Sequence, residues 1–284
     1  MKIVTILLNF QKKIIKRILK LFSIDIEWFI EKTLGIRYTF EEADLVVNFF
    51  KSRGTIGTAV DVGVSVGAVS REFLSMNWKV IGFEPDSDNP NKSKAIKKLK
   101  NNKNFTLDSR AVSDVSEEEL TFYTSPLSEG IASIHAFHPS HEESHKITTV
   151  TMNDYTKDNN IESINFLKVD TEGNDLNVLR GIDFTINKPD MILCEFDEFK
   201  AKTTGSDFNS LVNLLASSGY KVLVCEWYPI IIYGQRHKFN CMYLHPNKLR
   251  KENAWGNLIA VSSTLSESFF NFLDNQKISK YFVQ

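Results

Sequence analysis

The chain has 284 residues, of which 42% are hydrophobic, and this is enough for one sizeable core with a small appendage. With 34 basic and 35 acidic side chains the formal net charge is -1, so the charge balance gives no support for a nucleic-acid partner. The number and spacing of the three cysteines, which form no CxxC pair, argue against a disulfide framework or a zinc site and indicate buried thiols in a reducing compartment.

A basic amphipathic helix is predicted within residues 1–22. Apolar residues return at helical spacing from Ile3 to Phe22, and no acid precedes Asp25. Such a helix packs on the body or on a second copy of the chain as a homo-oligomer, or it lies in an anionic membrane surface. The apolar run is too short to span a bilayer, so we expect a cytoplasmic protein, with peripheral contact at the inner face of the membrane as the alternative.

Predicted strands and helices alternate after a second helix at 40–51. The predicted strands are 58–63, 79–85, 105–113, 119–125, 165–173, 190–199 and 220–227, and the helices between them are 68–76, 93–102, 175–183 and 206–219. Ser206 is the predicted cap of the last helix, and Gly219 its end. Such alternation is typical of right-handed βαβ crossovers. We therefore predict an α/β fold with a Rossmann-like doubly wound sheet, mainly parallel, with antiparallel edge strands from 227–263.

The segment VDVGVSVG at 60–67 follows the first predicted strand. Gly63 and Gly67 remove side chains where the chain turns and where a ligand approaches the backbone, and the helix that follows offers free N–H groups to an anion. Asp61 can receive a ligand ammonium group, and Glu84, at the end of the second strand, can accept both hydroxyls of a ribose. Glu84 suits either nucleoside, but the G-x-G-x-x-G pattern of dinucleotide sites is missing and NAD carries no ammonium group, so the turn with Asp61 favours S-adenosylmethionine over NAD. An NAD-dependent oxidoreductase or epimerase remains the alternative.

The segment INFLKVDTEGNDLNVLRGID at 164–183 resembles the FkbM-type methyltransferase family, which has L-K-(hydrophobic)-D-x-E-G followed by V-L-x-G. The matching residues are Leu167, Lys168, Asp170, Glu172, Gly173, Val178, Leu179 and Gly181. The segments VDVG, FEPD, RAVSD, GIASI, VTMNDY and KPDMILCEF are similar to further family blocks in the same order. The resemblance covers about 58–224, so we expect residues 1–50 to be an N-terminal helical extension and 51–284 to be the methyltransferase domain.

The resemblance implies an S-adenosylmethionine-dependent O-methyltransferase with a class I, Rossmann-like core. Members often methylate sugar hydroxyls, so the expected acceptor is a sugar in a surface polysaccharide or glycoconjugate. The cofactor-binding residues it implies are Asp61, Gly63, Val64, Ser65, Gly67, Glu84, Pro85, Asp108, Arg110, Ala111 and Asp170. This chain departs from the family where Ser65 replaces a usual Asn, which shortens a polar contact. It also has Ala132-Ser133 instead of a double Ser, so only the Ser133 hydroxyl remains.

Three charged residues alternate along FLKVDTEG and are predicted to share one side while the strand lasts. Lys168 inside a parallel strand is costly unless it is paired, and Asp170 is the obvious partner. We predict Asp170 as the general base, or as a metal or acceptor ligand, with Glu172 as its helper. Lys168 is the alternative base if burial lowers its pKa. A structural ion pair that only positions the cofactor is a further alternative, and no metal site is assigned.

The segment HAFHPSHEESH at 135–145 carries four of the six histidines. It indicates a solvated loop, a lid that brings His138 or His141 to the acceptor as a base, or a metal site.

An aromatic and cationic acceptor wall is a separate prediction for Trp227, Tyr228, Tyr233 and Arg236. The basic helix also supports a third candidate function, a non-catalytic module that docks on a membrane or a partner and keeps only a vestigial cofactor pocket.

Overall fold

The computed structural model describes residues 41–231, 237–276, 278 and 281–283. Residues 42–284 form one compact unit, and residues 1–41 are assigned to another. The predicted basic helix of residues 1–22 lies outside the described residues. None of the helices in the described part of the chain combines the length and the apolar composition of a membrane span.

The described chain begins with a helix and then alternates strands with helices. Its helices are α1 (Glu42–Arg53), α2 (Ala68–Ser75), α3 (Pro90–Lys100), α4 (Met152–Asp158), α5 (Asp175–Arg180), α6 (Glu198–Thr204), α7 (Phe208–Ser217) and α8 (Ser263–Asp274). Its strands are β1 (Thr58–Val62), β2 (Lys79–Phe83), β3 (Phe105–Asp108), β4 (Ala111–Val112), β5 (Glu119–Thr124), β6 (Glu142–Val150), β7 (Phe166–Val169), β8 (Met191–Asp197), β9 (Tyr220–Trp227), β10 (Phe239–Leu244) and β11 (Trp255–Ser262).

Eight strands form the main sheet in the order β3-β2-β1-β7-β8-β11-β9-β10. The pairs from β3 to β8 are parallel, and β11 and β10 pair antiparallel with their neighbours. This confirms the predicted Rossmann-like, mainly parallel α/β fold. The β10 strand lies at the edge, as expected for the last stretch. In contrast, β11 lies inside the sheet, where its residues from Leu258 to Val261 are fully buried.

The strand order reverses between β1 and β7. The chain runs from β1 outward through β2 and β3, and then returns to place β7 on the other side of β1. In open α/β sheets, ligands bind beyond the carboxyl ends of the strands at such a switch point. The fold therefore directs attention to the residues that follow β1, β2 and β7.

Helix α1 packs through two buried phenylalanines on helix α8 and on Trp78, the residue before β2. Phe49 meets Phe269 edge to face at 5.1 Å between ring centroids, and Phe50 meets Trp78 at 5.0 Å. The indole N–H of Trp227 donates to buried Glu42 at 2.6 Å. Because of this burial, the compact unit begins at Glu42, upstream of the boundary predicted between residues 50 and 51.

A small sheet with the order β4-β6-β5 lies apart from the main sheet. Its apolar side is formed by Ala111, Phe122 and Ile147, with Ala132 and Ile134 packed against them. Strand β6 begins at Glu142, so the end of the histidine-rich segment is a strand rather than a loop. Although β6 is the central strand of this sheet, its residues before Ile147 are polar and exposed, so the sequence there shows no apolar run typical of a strand.

The last predicted helix begins one residue later than expected. The side chain of Asp207 accepts a hydrogen bond from the Ser210 backbone N–H at 3.0 Å and caps α7. Ser206 therefore is not the cap, and its hydroxyl accepts from the Leu176 N–H at 3.1 Å instead. Gly219 follows the helix with a positive φ of 80°, as predicted for its end.

Candidate active site

The turn after β1 touches the turn after β7. Gly63 has a φ of 83°, and a Cβ atom at this position would lie 1.9 Å from the Asp170 carbonyl oxygen. The sequence predicts a close approach of a ligand to this glycine. The structure shows a close approach of a second backbone, and this contact joins the two strand ends that flank the switch point.

Gly63→Ala is expected to lower the free energy of unfolding by more than the ~1–3 kcal/mol of left-handed backbone strain, because the added methyl group also overlaps the Asp170 carbonyl. Urea unfolding measures this loss. Gly54→Ala is the matched control, since Gly54 has a φ of 63° and no atom within 4 Å of its added Cβ. Equal losses in the two variants would mean that the contact with Asp170 is unimportant.

Glu84 is buried at the end of β2 and is held by three donors. Its Oε2 accepts from the Ser65 backbone N–H at 2.7 Å, and its Oε1 accepts from the Asp86 N–H at 3.0 Å and from Lys92 Nζ at 3.2 Å. A carboxylate has about four acceptor positions, so one remains for a ligand hydroxyl, fewer than the two of a ribose. Sequence reasoning missed Lys92, although it lies in the first turn of α3, the helix after the FEPD segment.

A cavity of about 280 Å³ lies over the carboxyl ends of β1, β2 and β7, close to the lower end of roughly 300–1,000 Å³ for small-molecule sites. Among the predicted site residues, its lining includes Gly63, Ser65, Glu84, Pro85, Arg110, Ala111, Asp170 and Glu172. The other predicted site residues, Asp61, Val64, Gly67, Asp108 and Lys168, do not line it. The apolar lining includes Val62, Phe83, Val112, Phe122 and Ile134.

Val64 and Asp108 support the cavity from behind. The Val64 side chain is 3% exposed and packs against Gly82, whose Cβ would lie 2.5 Å from it. The Asp108 carboxylate accepts from the backbone N–H of Arg110 and from its guanidinium, at 2.8 Å in each case. Asp108 thus orients Arg110, which does line the cavity.

Lys168 bridges two carboxylates at the switch point. Its Nζ lies 3.1 Å from Asp170 and 3.4 Å from Asp61, and it donates to the Gly63 carbonyl at 2.8 Å. Burial lowers the pKa of Lys168, but the charges of Asp170 and Asp61 outweigh burial and raise that pKa above its usual value. A raised pKa is unfavourable for a base, so the surroundings of Lys168 give no support for its alternative role as the base, which stays a prediction.

Asp61 lies beneath the turn, 2% exposed, and its Oδ2 accepts from the Ser70 hydroxyl at 2.6 Å. Lys168 Nζ lies 3.4 Å from the other oxygen, Oδ1, which is buried and accepts no hydrogen bond from the described residues. Direct receipt of a ligand ammonium group by Asp61 stays a prediction, and the structure brings Asp170, not Asp61, to the cavity.

Glu172 reaches the cavity from a strained backbone. Its φ is 58°, and its carbonyl accepts from the buried Ser133 hydroxyl at 2.9 Å. Ser133, the one hydroxyl left in the GIASI block, therefore holds the backbone of Glu172. Burial raises the pKa of the Glu172 carboxyl and Lys200 lowers it, and with the added charge of Asp170 the pKa is raised to about 7.

A buried lysine neutralises the acidic residues at this end of the sheet. Lys200 Nζ lies 2.5 Å from Glu172 and 2.8 Å from Glu195, and Asp197 follows at 3.6 Å. Sequence reasoning missed these residues because it continued the strand to 199. The detectable signal was a pair of acids two positions apart at the carboxyl end of a strand next to β7.

The family model of the methyltransferase FkbM domain matches residues 61–222, more than half of the chain. The chain belongs to the FkbM methyltransferase family. The match spans every cavity-lining residue named above and Lys200, and family membership implies S-adenosylmethionine as the methyl donor.

Two solved structures are similar to this FkbM methyltransferase. Precorrin-6y C5,15-methyltransferase from Geobacter metallireducens GS-15 is 15% identical, covers 80% of this chain and 90% of its own, and has a TM-score of 0.40. The methyltransferase domain of bacterial CtHen1-C is 9% identical, covers 78% of this chain and 97% of its own, and has a TM-score of 0.36. No curated protein matches this chain.

Three histidines of segment 135–145 of the methyltransferase do not line the cavity. His135 Nε2 lies 3.3 Å from the Asn174 side-chain oxygen, His138 Nδ1 lies 2.7 Å from the Ser140 hydroxyl, and His141 Nε2 lies 2.9 Å from the Ile131 carbonyl. The cavity lining therefore gives no support for His138 or His141 as the base. The segment does cover the buried lysine, since the Phe137 ring centroid lies 5.8 Å from Lys200 Nζ.

The predicted aromatic acceptor wall is only partly described. Trp227 is 6% exposed and is bonded to Glu42, so it belongs to the core. Tyr228 is more exposed and lies between two ammonium groups, Lys238 at 4.8 Å and Lys251 at 5.4 Å from its ring. Residues 233 and 236 of that prediction lie outside the described residues.

Proposed function

We propose that this enzyme is an S-adenosylmethionine-dependent O-methyltransferase whose acceptor is a sugar hydroxyl in a surface polysaccharide or glycoconjugate. One observation carries the catalytic part of the proposal: Glu84, Asp170 and Glu172 line the same cavity. Glu84 is suited to a nucleoside hydroxyl, and Glu172 is a carboxylate with a pKa near the pH at which a cell works. The sugar acceptor is supported by the family resemblance alone.

The lining fits a nucleoside cofactor. Glu84 keeps one open acceptor position, and the apolar side chains of Phe83 and Val112 offer a wall for a base. Ser65 and Gly63 bring backbone to the same cavity. When bound, S-adenosylmethionine supplies an electrophilic methyl carbon on a sulfonium centre.

Glu172 is suited to take the proton of the acceptor hydroxyl. A general base works best when its pKa lies near the working pH. Burial raises the pKa of Asp170, but Lys168 and Lys200 outweigh burial and bring that pKa below its usual value, so Asp170 stays ionised and is a weaker base. We therefore assign proton removal to Glu172, and to Asp170 the alignment of the acceptor, which exchanges the roles expected from sequence.

Ligand binding separates this function from the NAD-dependent alternative. We expect S-adenosylhomocysteine to raise the melting temperature of the full chain and NAD to leave it unchanged. Transfer of a labelled methyl group from S-adenosylmethionine is then assayed on hexoses, deoxyhexoses and oligosaccharides. Stabilisation by NAD without stabilisation by S-adenosylhomocysteine would contradict the proposal.

Glu84→Gln is expected to weaken S-adenosylhomocysteine binding by roughly tenfold or more, because a hydrogen bond to a charged group contributes about 1.5–3 kcal/mol. Isothermal titration calorimetry measures the affinity. Glu117→Gln is the matched control, since Glu117 is 76% exposed and lies 3.8 Å from Arg110. Unchanged affinity in a folded Glu84→Gln protein would remove Glu84 from the cofactor site.

The basic segment at residues 1–22 supports two proposals about partners. Peripheral contact with an anionic membrane is tested by sedimentation of the full chain with anionic and with neutral vesicles. Association with a second copy is tested by measuring the mass of the full chain in solution. Binding to anionic vesicles alone favours the first proposal, and a dimeric mass favours the second.

A further inference from the structure

Lys200 is a fully buried cation that meets three carboxylates from two strand ends. Its side chain is 2% exposed, and its Nζ contacts Glu172 from the turn after β7 and Glu195 from β8. Burying an ammonium group is costly unless hydrogen bonds and opposite charges compensate it. The number of its partners shows that Lys200 is compensated, and the cost is met only while these carboxylates stay in place.

Lys200 is itself fixed at the end of β8. The Asp197 carboxylate caps α6, accepting from the backbone N–H groups of Phe199 at 2.8 Å and of Lys200 at 3.3 Å. A lysine in the first turn of a capped helix starts from a defined position, so its Nζ is a rigid anchor for Glu172.

The three carboxylates of Asp170, Glu172 and Glu195, here called the acidic cluster, are spaced as in a cation site. Among the described residues, oxygen atoms of Asp170, Glu172 and Glu195 lie within 4.8 Å of one another. Lys200 Nζ is within hydrogen-bond distance of two of these residues, Glu172 and Glu195. Its ammonium group therefore compensates the negative charge that three carboxylates so close together would otherwise carry.

We propose that Lys200 is a positioning residue for methyl transfer, whose ammonium group serves as the cation of this cluster and holds the Glu172 carboxylate at the cavity. This inference rests on the proposed function, because it requires that Glu172 acts on the acceptor. Lys200 does not line the cavity, so its effect on the reaction passes through Glu172.

The test compares Lys200→Met, Lys200→Arg and wild type in the full chain, with Lys202→Met as an exposed control on the same helix. For Lys200→Met we expect an affinity for S-adenosylhomocysteine close to wild type and a kcat lower by roughly tenfold to hundredfold, the scale of a misplaced catalytic group. Lys200→Arg is expected to recover part of kcat because it restores a cation. Wild-type activity is expected to be the same with and without EDTA.

Three results would overturn the inference. They are an unchanged kcat in Lys200→Met, a loss of cofactor affinity in step with kcat, and a wild-type activity that EDTA removes and Mg²⁺ restores. If Lys200→Met does not fold, Glu195→Gln takes its place: it removes one of the negative charges that fix the Lys200 ammonium group, and an unchanged kcat in that variant is equally contradictory.

The two proposals fail in different ways. A wild-type chain that binds no S-adenosylhomocysteine defeats the proposed function, and the role of Lys200 falls with it. A wild-type chain that binds cofactor and transfers methyl, while Lys200→Met does so equally well, defeats the role of Lys200 alone.

Discussion

Glu172→Gln is expected to lower kcat by at least roughly hundredfold, the scale of a lost general base, while affinity for S-adenosylhomocysteine stays near wild type. The amide keeps the volume and can still accept from Lys200, which lies 2.5 Å from the carboxylate. It cannot take a proton from the acceptor. Kinetics with the acceptor identified in the sugar panel measure kcat, and calorimetry measures the affinity.

The pH profile of the wild type gives an independent check on Glu172. A base must be ionised to act, and the pKa of Glu172 is raised to about 7. Activity should therefore fall as the pH drops below about 7 and level off above it. Glu172→Gln should lose this acidic limb, whereas Glu143→Gln, on the exposed side of β6, should keep it. If Glu172→Gln keeps the acidic limb of the pH–activity profile seen in the wild type, the titration belongs to another group.

Lys168→Met is expected to lower the free energy of unfolding by ~3–5 kcal/mol, the usual loss when one partner of a buried ion pair is removed. Methionine keeps most of the volume but leaves Asp61, 2% exposed, with a buried charge and no cation. The Gly63 carbonyl also loses its donor. Urea unfolding measures the loss.

Lys51→Met is the matched control for this experiment. Lys51 pairs with Glu72 at 2.7 Å, but the two side chains are 42% and 47% exposed, so the pair contributes only ~0–1 kcal/mol. Adding Asp61→Asn to Lys168→Met should recover part of the loss because it removes the unpaired charge. If Lys168→Met is as stable as Lys51→Met, the bridge between β1 and β7 does not contribute to the fold.

Sequence patterns predict the main sheet well because the inner parallel strands β1, β2, β7 and β8 are buried on both faces. The runs around Val60, Ile81 and Leu167 are apolar and bounded by turn residues, which makes their positions clear. Strand β6 was missed because it is exposed over its first half and starts beside a Pro-containing segment. The internal position of β11 depends on pairing with β8 and β9, which local sequence does not specify.

The site was partly predictable from sequence because several of its residues directly follow parallel strands that are themselves easy to recognise. Asp170, Glu172 and Glu84 follow parallel strands, and the carboxyl ends of such strands meet at one edge. Lys200 and Lys92 act through partners that are near in space only after folding, so their charges looked like ordinary surface charges in the sequence. The sequence likewise shows that Asp61 precedes a glycine. It does not show that the Ser70 hydroxyl and the Lys168 ammonium group lie beside the Asp61 carboxylate.

The hydrogen bond from Ser133 to the Glu172 carbonyl ties the small sheet to proton removal. Ser133 pairs through its backbone with Tyr123 of β5, so it belongs to the cover over the cavity rather than to its floor. The same hydroxyl steadies the left-handed backbone of Glu172, so the position of the proposed base depends on both sheets. A substitution that disturbs the small sheet is therefore expected to reach the proposed base without touching the main sheet.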